Sequence, residues 1–290
     1  MISSNNFTYG FEIEWGDIDR KLKIPEHLGK WEYCETDIVN ILEPYKYVAC
    51  DPLGIEPNFG GEINTIPTKT WQEQVKNIMS IYDFFIKNNN TPTVNCISHS
   101  HIHVHIPNLI DDINLLKKLM LYIKNNQEIA ITSGSNFIPH PNMKKLKNCT
   151  LYTKYDGGRR MPNYMLNNII NLSYDFPSFI KQHCTGKDGV SMGRPFRYGI
   201  NTYSLKHTKT IEFRFFRGSI DKKEISDMFF FVEQFLYNAL NEQKPIQEIL
   251  NKYFFSFPQL NFSTAQWNGY LKTKYNKDRG QKKRDGYIKI

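Results

Sequence analysis

The chain has 290 residues, a hydrophobic share of 40%, a charged share of 23% and a net charge of +8. That length suffices for one large domain or two small ones with a sizeable core, and the composition is that of an ordinary soluble globular protein. No stretch reaches the roughly 18 consecutive apolar residues of a membrane-spanning helix, and the first residues lack the basic-then-apolar pattern of a signal peptide.

The charge is unevenly spread. Residues 271–290 hold eight Lys/Arg and two Asp/Glu, so this segment supplies +6 of the +8 and the body is nearly neutral. The expected division is a single domain over 1–270 and a basic, solvated tail over 271–290, the one candidate for contact with nucleic acid. Five cysteines (Cys34, Cys50, Cys96, Cys149, Cys184), odd in number and without CxxC spacing, read as free thiols of a reducing cytoplasm. Asn, Lys and Ile are over-used, as in AT-rich coding sequences of viruses or low-GC bacteria.

In chain order, Thr8 to Trp15 alternates as a strand, with Phe7, Tyr9, Phe11, Ile13 and Trp15 on one face and Glu12 and Glu14 on the other. Residues 16–44 are punctuated by Pro25, Gly29 and Pro44 and predict short elements and loops. Tyr45–Ala49 reads as a short strand before a turn at Asp51–Gly54, and Gly60–Ile66 as a strand preceded by glycines. Thr70 and Glu73 form a capping box ahead of a helix striped by Trp71, Val75, Ile78, Tyr82 and Phe85. Val94–Ile106 is the next strand, and Asp111 is the expected cap of a helix carrying Leu115, Leu116, Leu119, Tyr122 and Ile123. Thr132 to Arg160 reads as loop. Two strands at Tyr198–Leu205 and Thr210–Phe216 are expected to meet in a hairpin at Lys206–Lys209. A helix from Ile225 to Leu240 and a short one after Pro245 complete an α+β domain with a mostly antiparallel sheet.

Four groups of residues carry chemistry. Glu12 and Glu14, two apart on a strand, project from one face and can gather hard cations, although such pairs also line ordinary solvent-facing strands. His99, His101, His103 and His105 all sit at odd positions and so share a face, and they are half of the chain's eight histidines. His99 and His101 read as structural, His103 and His105 as functional. Glu212 and Arg214 share a strand face in an aromatic-backed segment, where burial of an ion pair is expensive. Gly60-Gly61-Glu62 offers a carboxylate behind residues that permit close backbone approach.

The order of these motifs resembles the amidoligase family of carboxylate–amine ligases, relatives of glutamine synthetase and glutamate–cysteine ligase. The likeness spans about Gly10 to Ser219, and Asn201–Ser219 is its most specific stretch. It implies a curved, mostly antiparallel sheet with flanking helices, glutamine-synthetase-like, whose concave face binds ATP and two or more Mg²⁺. By resemblance Glu12, Glu14, Glu62, His103 and Glu212 are metal ligands, with His103 and His105 beside the nucleotide phosphates. Arg214 would contact transferring phosphate or substrate carboxylate, Arg197 would be a second phosphate-side arginine, and Glu212 completes the catalytic group. The reaction implied is amide formation between a small-molecule carboxylate and an amine through an acyl phosphate. Family members often carry Cys-Gly where this chain has Ser100-His101, and Ser-Pro-Pro near Asn64–Pro67; both departures touch the substrate pocket rather than the metal face. Two other readings stand beside this one: a metal-dependent hydrolase using the His-x-His strand to hold Zn²⁺, and a nucleic-acid-binding protein acting through its basic tail.

Overall fold

Alternation along the first strand sets the architecture. In the computed structural model, which describes residues 3–16, 18–19, 21–31, 59–92, 99–135, 160–190 and 198–253, Thr8–Gly16 forms β1. It is joined by β2 (Gly29–Trp31), β3 (Phe59–Thr65), β4 (His99–His105), β5 (Ile200–Asn201) and β6 (Thr210–Arg217). These six make one open sheet in the order β2-β3-β1-β4-β6-β5, and every neighbouring pair is antiparallel. The fold is thus mixed helix and strand, with helices flanking an antiparallel sheet.

The period of two gives the sheet two unlike faces. Tyr9, Phe11, Ile13, Trp15, Ile63, Ile102, Val104, Ile211 and Phe213 are all buried. They pack on α1 (Trp71–Lys87), α2 (Ile113–Ser135) and α5 (Lys222–Leu240). Edge-on rings mark the contacts: Trp15 with Tyr82 at 5.8 Å and Phe213 with Phe235 at 5.7 Å. Phe235, fully buried, also meets Tyr122 at 5.0 Å. Phe235→Ala is expected to cost about 3–5 kcal/mol, readable as a lower denaturant midpoint with an unchanged slope. The polar face of the same strands carries the carboxylates and imidazoles.

The helix ends follow local hydrogen bonding. The Thr70 hydroxyl accepts from the Glu73 amide at 3.3 Å, as expected. The second helix is capped one residue later than expected, by Asp112, whose carboxylate accepts from the amides of Asn114 at 2.9 Å and Leu115 at 3.1 Å. Asp111 instead closes a 3₁₀ turn, Leu109–Asp111. This helix runs on to Ser135, so Thr132–Ser135 is helical rather than loop. The expected hairpin is also corrected: after two residues of β5 the chain turns into a 3₁₀ segment, Tyr203–Lys206, with no long strand up to Leu205. The expected short helix after Pro245 is α6 (Ile246–Tyr253). The Tyr45–Ala49 strand, the following turn and the basic tail lie outside the described residues.

Two helices had no counterpart in the sequence reading: α3 (Asn163–Leu172) and α4 (Phe176–His183). The second begins with a reciprocal box, in which the Ser178 amide donates to Asp175 at 2.8 Å and the Asp175 amide donates to the Ser178 hydroxyl at 3.0 Å. At its far end His183 is fully buried. Its Nδ1 donates to the Phe179 carbonyl at 2.9 Å, and its Nε2 accepts from the Thr202 hydroxyl at 2.7 Å. Burial drives its pKa down to about 4, against a small opposing pull from the Phe179 carbonyl. A depressed histidine contributes stability that is whole above the unfolded value near 6.5 and is lost as pH falls through the folded one. Between pH 6.5 and 4 the expected loss is about 3 kcal/mol. Urea unfolding across that interval checks it: His183→Gln should lose about that much less than the wild type over the same range.

Candidate metal centre

The register of β4 brings the polar residues together. On one side His101 lies opposite Glu12 and His103 opposite Gly10 of β1. On the other, His103 lies opposite Glu212 of β6, which in turn faces Asn201 of β5. Between Ser100 and Ile102 the β4–β6 pairing shifts, because Ser100 pairs with Phe216 while Ile102 pairs with Phe213. Two residues of β6, Arg214 and Phe215, therefore stand against the single residue His101. This is a β-bulge, the device by which a strand re-aims a side chain. Arg214 keeps the parity of Glu212 and so stays on the carboxylate face, while the extra residue lets Phe215 and Phe216 both stay buried, each about 6.2 Å from the Phe231 ring of α5.

Glu12 is the hub. One of its oxygens is 2.7 Å from His103 Nε2 and the other 2.5 Å from His101 Nδ1. His101 Nε2 lies 3.7 Å from Glu14 Oε1, and its Nδ1 lies 3.9 Å from Glu212 Oε1. Glu212 Oε1 is 4.0 Å from His103 Nε2 and pairs with the Arg214 guanidinium, while Glu212 Oε2 accepts from the Asn201 amide at 2.7 Å. One ligand atom from each of Glu12, His103 and Glu212 lies within 4.8 Å of the other two, a spacing compatible with a shared divalent cation.

Burial makes these charges costly. Glu14, His101, Glu212 and Arg214 are all buried, and Glu12 and His103 partly so. Burial pushes the Glu12 carboxyl upward, but hydrogen bonds and charge from His101 and His103 outweigh it and hold the group well below the usual carboxylate range. Glu212 follows the same pattern: burial raises it, and Arg214, then His101 and His103, hold it ionised. Burial lowers His103, yet the hydrogen bond to Glu12 and the charges of Glu12 and Glu212 raise it above an ordinary imidazole. Arg214, opposed by burial, is held charged by Glu212 and Glu12. Such a network contributes little net stability, since apolar residues of similar volume would serve the fold as well or better. Groups so strongly perturbed by specific partners make this cluster the candidate functional site.

The structure thus brings Glu12, Glu14, His103, Glu212 and Arg214 into one cluster. Glu62 on β3 is cross-strand from Glu14 and extends the acidic edge. His105 stands further along β4, its Nδ1 donating to the Lys209 carbonyl at 3.0 Å rather than meeting the carboxylates. Arg197 lies outside the described residues. The sequence assigns no site role to two members: His101, expected to be structural, lies among three carboxylates, and Asn201, which opens the most specific stretch of the resemblance, holds the far oxygen of Glu212. The signal for His101 was its parity with His103, which puts both imidazoles on the face of Glu12 once the strands pair.

Among the described residues no helix is long and apolar enough to cross a membrane. Comparison with known protein families, curated proteins and solved structures gives no match to this chain.

Proposed function

We propose that the chain is an ATP- and Mg²⁺-dependent carboxylate–amine ligase built on a glutamine-synthetase-like sheet. The observation that carries this reading is the convergence of Glu12, His103 and Glu212, from three adjacent strands, to within 4.8 Å. The donor set fits the implied ions. Carboxylates dominate it, as hard cations require, with Glu14 beside the triad and Glu62 opposite Glu14. Bound Mg²⁺ would supply charge neutralisation of nucleotide phosphates.

The chain's own residues then have distinct tasks. Glu12, His103 and Glu212 would hold the ion. Asn201 fixes the Glu212 carboxylate by its far oxygen. Arg214 commits a terminal nitrogen to Glu212, while its Nε–H is buried with no acceptor among the described residues, a donor suited to an anionic oxygen of phosphate or carboxylate. A carboxylate is a poor acyl donor because its leaving group is oxide. Taking the γ-phosphoryl of ATP gives an acyl phosphate and ADP; the amine then displaces phosphate and loses a proton, leaving an amide.

Oxygen labelling tests the proposal. With ATP, Mg²⁺, pooled amines and ¹⁸O-labelled carboxylic acids, a ligase must move one ¹⁸O from the acid into the released phosphate. Phosphate formed without the label contradicts the reading, and Zn²⁺-dependent cleavage without ATP would favour the hydrolase instead.

A further inference from the structure

Beside the ion-holding groups, a short polar chain leads away from His103. Its Nδ1 lies 3.1 Å from the Thr210 hydroxyl, which lies 2.6 Å from the Thr208 hydroxyl, which is 3.0 Å from the Ser204 carbonyl. The last group can only accept. Thr208 therefore spends its proton on Ser204, and Thr210 must spend its own on Thr208. The Thr210 oxygen is left to accept, so the proton between it and the ring belongs to Nδ1. The other nitrogen, Nε2, faces the ionised Glu12 carboxylate at 2.7 Å and donates to it in the cation-free protein, so Nδ1 is the nitrogen that keeps its proton when a cation takes the place of the one on Nε2.

The same turn treats the neighbouring histidine alike. The Lys209 carbonyl accepts from His105 Nδ1 at 3.0 Å, and Lys209 holds a positive φ of 59°. That left-handed conformation is uncommon for a residue with a side chain. The segment from Ser204 to Thr210 thus fixes the Nδ1 side of both histidines of the His-x-His strand.

We propose that Thr210, backed by Thr208 and the Ser204 carbonyl, is a positioning residue that keeps the proton on His103 Nδ1 and so presents Nε2 to a divalent cation shared with Glu12 and Glu212. The inference rests on the metal-centre reading for its consequence, though not for the direction of the chain itself. A hydrogen-bond partner on the far nitrogen fixes ring orientation and basicity, and its loss costs roughly 10–100-fold in metal affinity.

Two measurements on the full chain test it. Nitrogen NMR of histidine-labelled protein should show His103 Nδ1 bearing a proton both with and without diamagnetic Mg²⁺; an unprotonated Nδ1 in either state overturns the proposal. Calorimetric titration with Mn²⁺ should show Thr210→Val weakened by roughly 10–100-fold, Thr210→Ser within about threefold of wild type, and Thr208→Val between them, with melting temperatures alike. Equal affinity in Thr210→Val, or no rescue by serine, also overturns it. A protonated Nδ1 in wild type that binds no Mn²⁺ would leave the hydrogen-bond direction standing and remove the metal-centre reading.

Discussion

Glu12→Gln is expected to lower ATP-dependent turnover by roughly a thousandfold while leaving a folded protein, as loss of a several-kcal/mol electrostatic contribution at a reacting centre should do. Glu12 meets two imidazoles with its two oxygens, at 2.7 and 2.5 Å, and belongs to the triad facing a shared point. Glutamine keeps the shape and one acceptor but removes the charge that draws a cation. Its NH₂ would also face His101 or His103, turning one of the two close contacts into donor against donor. The stability loss should stay near 1–3 kcal/mol, the usual figure for one buried polar group left unsatisfied. Phosphate release and thermal melting, measured on one preparation, separate the two effects. Turnover within tenfold of wild type would remove Glu12 from the site.

The second large effect concerns stability and does not depend on the reaction. Glu212 and Arg214 are both buried, and the guanidinium pairs with Oε1 of the carboxylate. Glu212→Leu alone strands a buried cation and is expected to cost about 3–5 kcal/mol. Glu212→Leu combined with Arg214→Met removes both charges and should recover most of that loss, because the pair repays little beyond its own desolvation. Chemical denaturation of the two single variants, the double variant and wild type closes the cycle. A double variant no more stable than its worse parent would mean that the pair is structural. The recovered protein should at the same time be catalytically dead. A pair that can be removed without loss to the fold, but not without loss to the chemistry, is kept for the chemistry.

Much of this site could be read from residue parity alone. Alternation in β1 and β4 assigned Glu12, Glu14 and the histidines to polar faces, and strand pairing had only to bring those faces side by side. What parity cannot report is register between strands. The bulge opposite His101 depends on how Phe215 and Phe216 both find the α5 rings, which is a property of packing across elements. For the same reason the second half of the expected Tyr198–Leu205 strand is not a strand: Leu205 is buried, but Ser204 donates to the Asn201 carbonyl at 2.7 Å and the chain coils into a 3₁₀ segment there. The shift from Asp111 to Asp112 at the start of α2 is smaller in kind, since two adjacent aspartates offer equal caps and only the preceding 3₁₀ turn chooses between them. Helix α4 carried a legible signal in Asp175 and Ser178, a capping box with serine in place of the usual Glu or Gln.

The convergence of side chains from three strands on one candidate cation site is the point on which the proposed chemistry turns. Crystals soaked in MnCl₂, with diffraction collected at the manganese absorption edge, locate such an ion directly. The expected result is an anomalous peak bonded to carboxylate oxygens of Glu12 and Glu212 and to Nε2 of His103, absent from crystals of Glu12→Gln. A peak elsewhere on the molecule, with none among these three side chains, would contradict it.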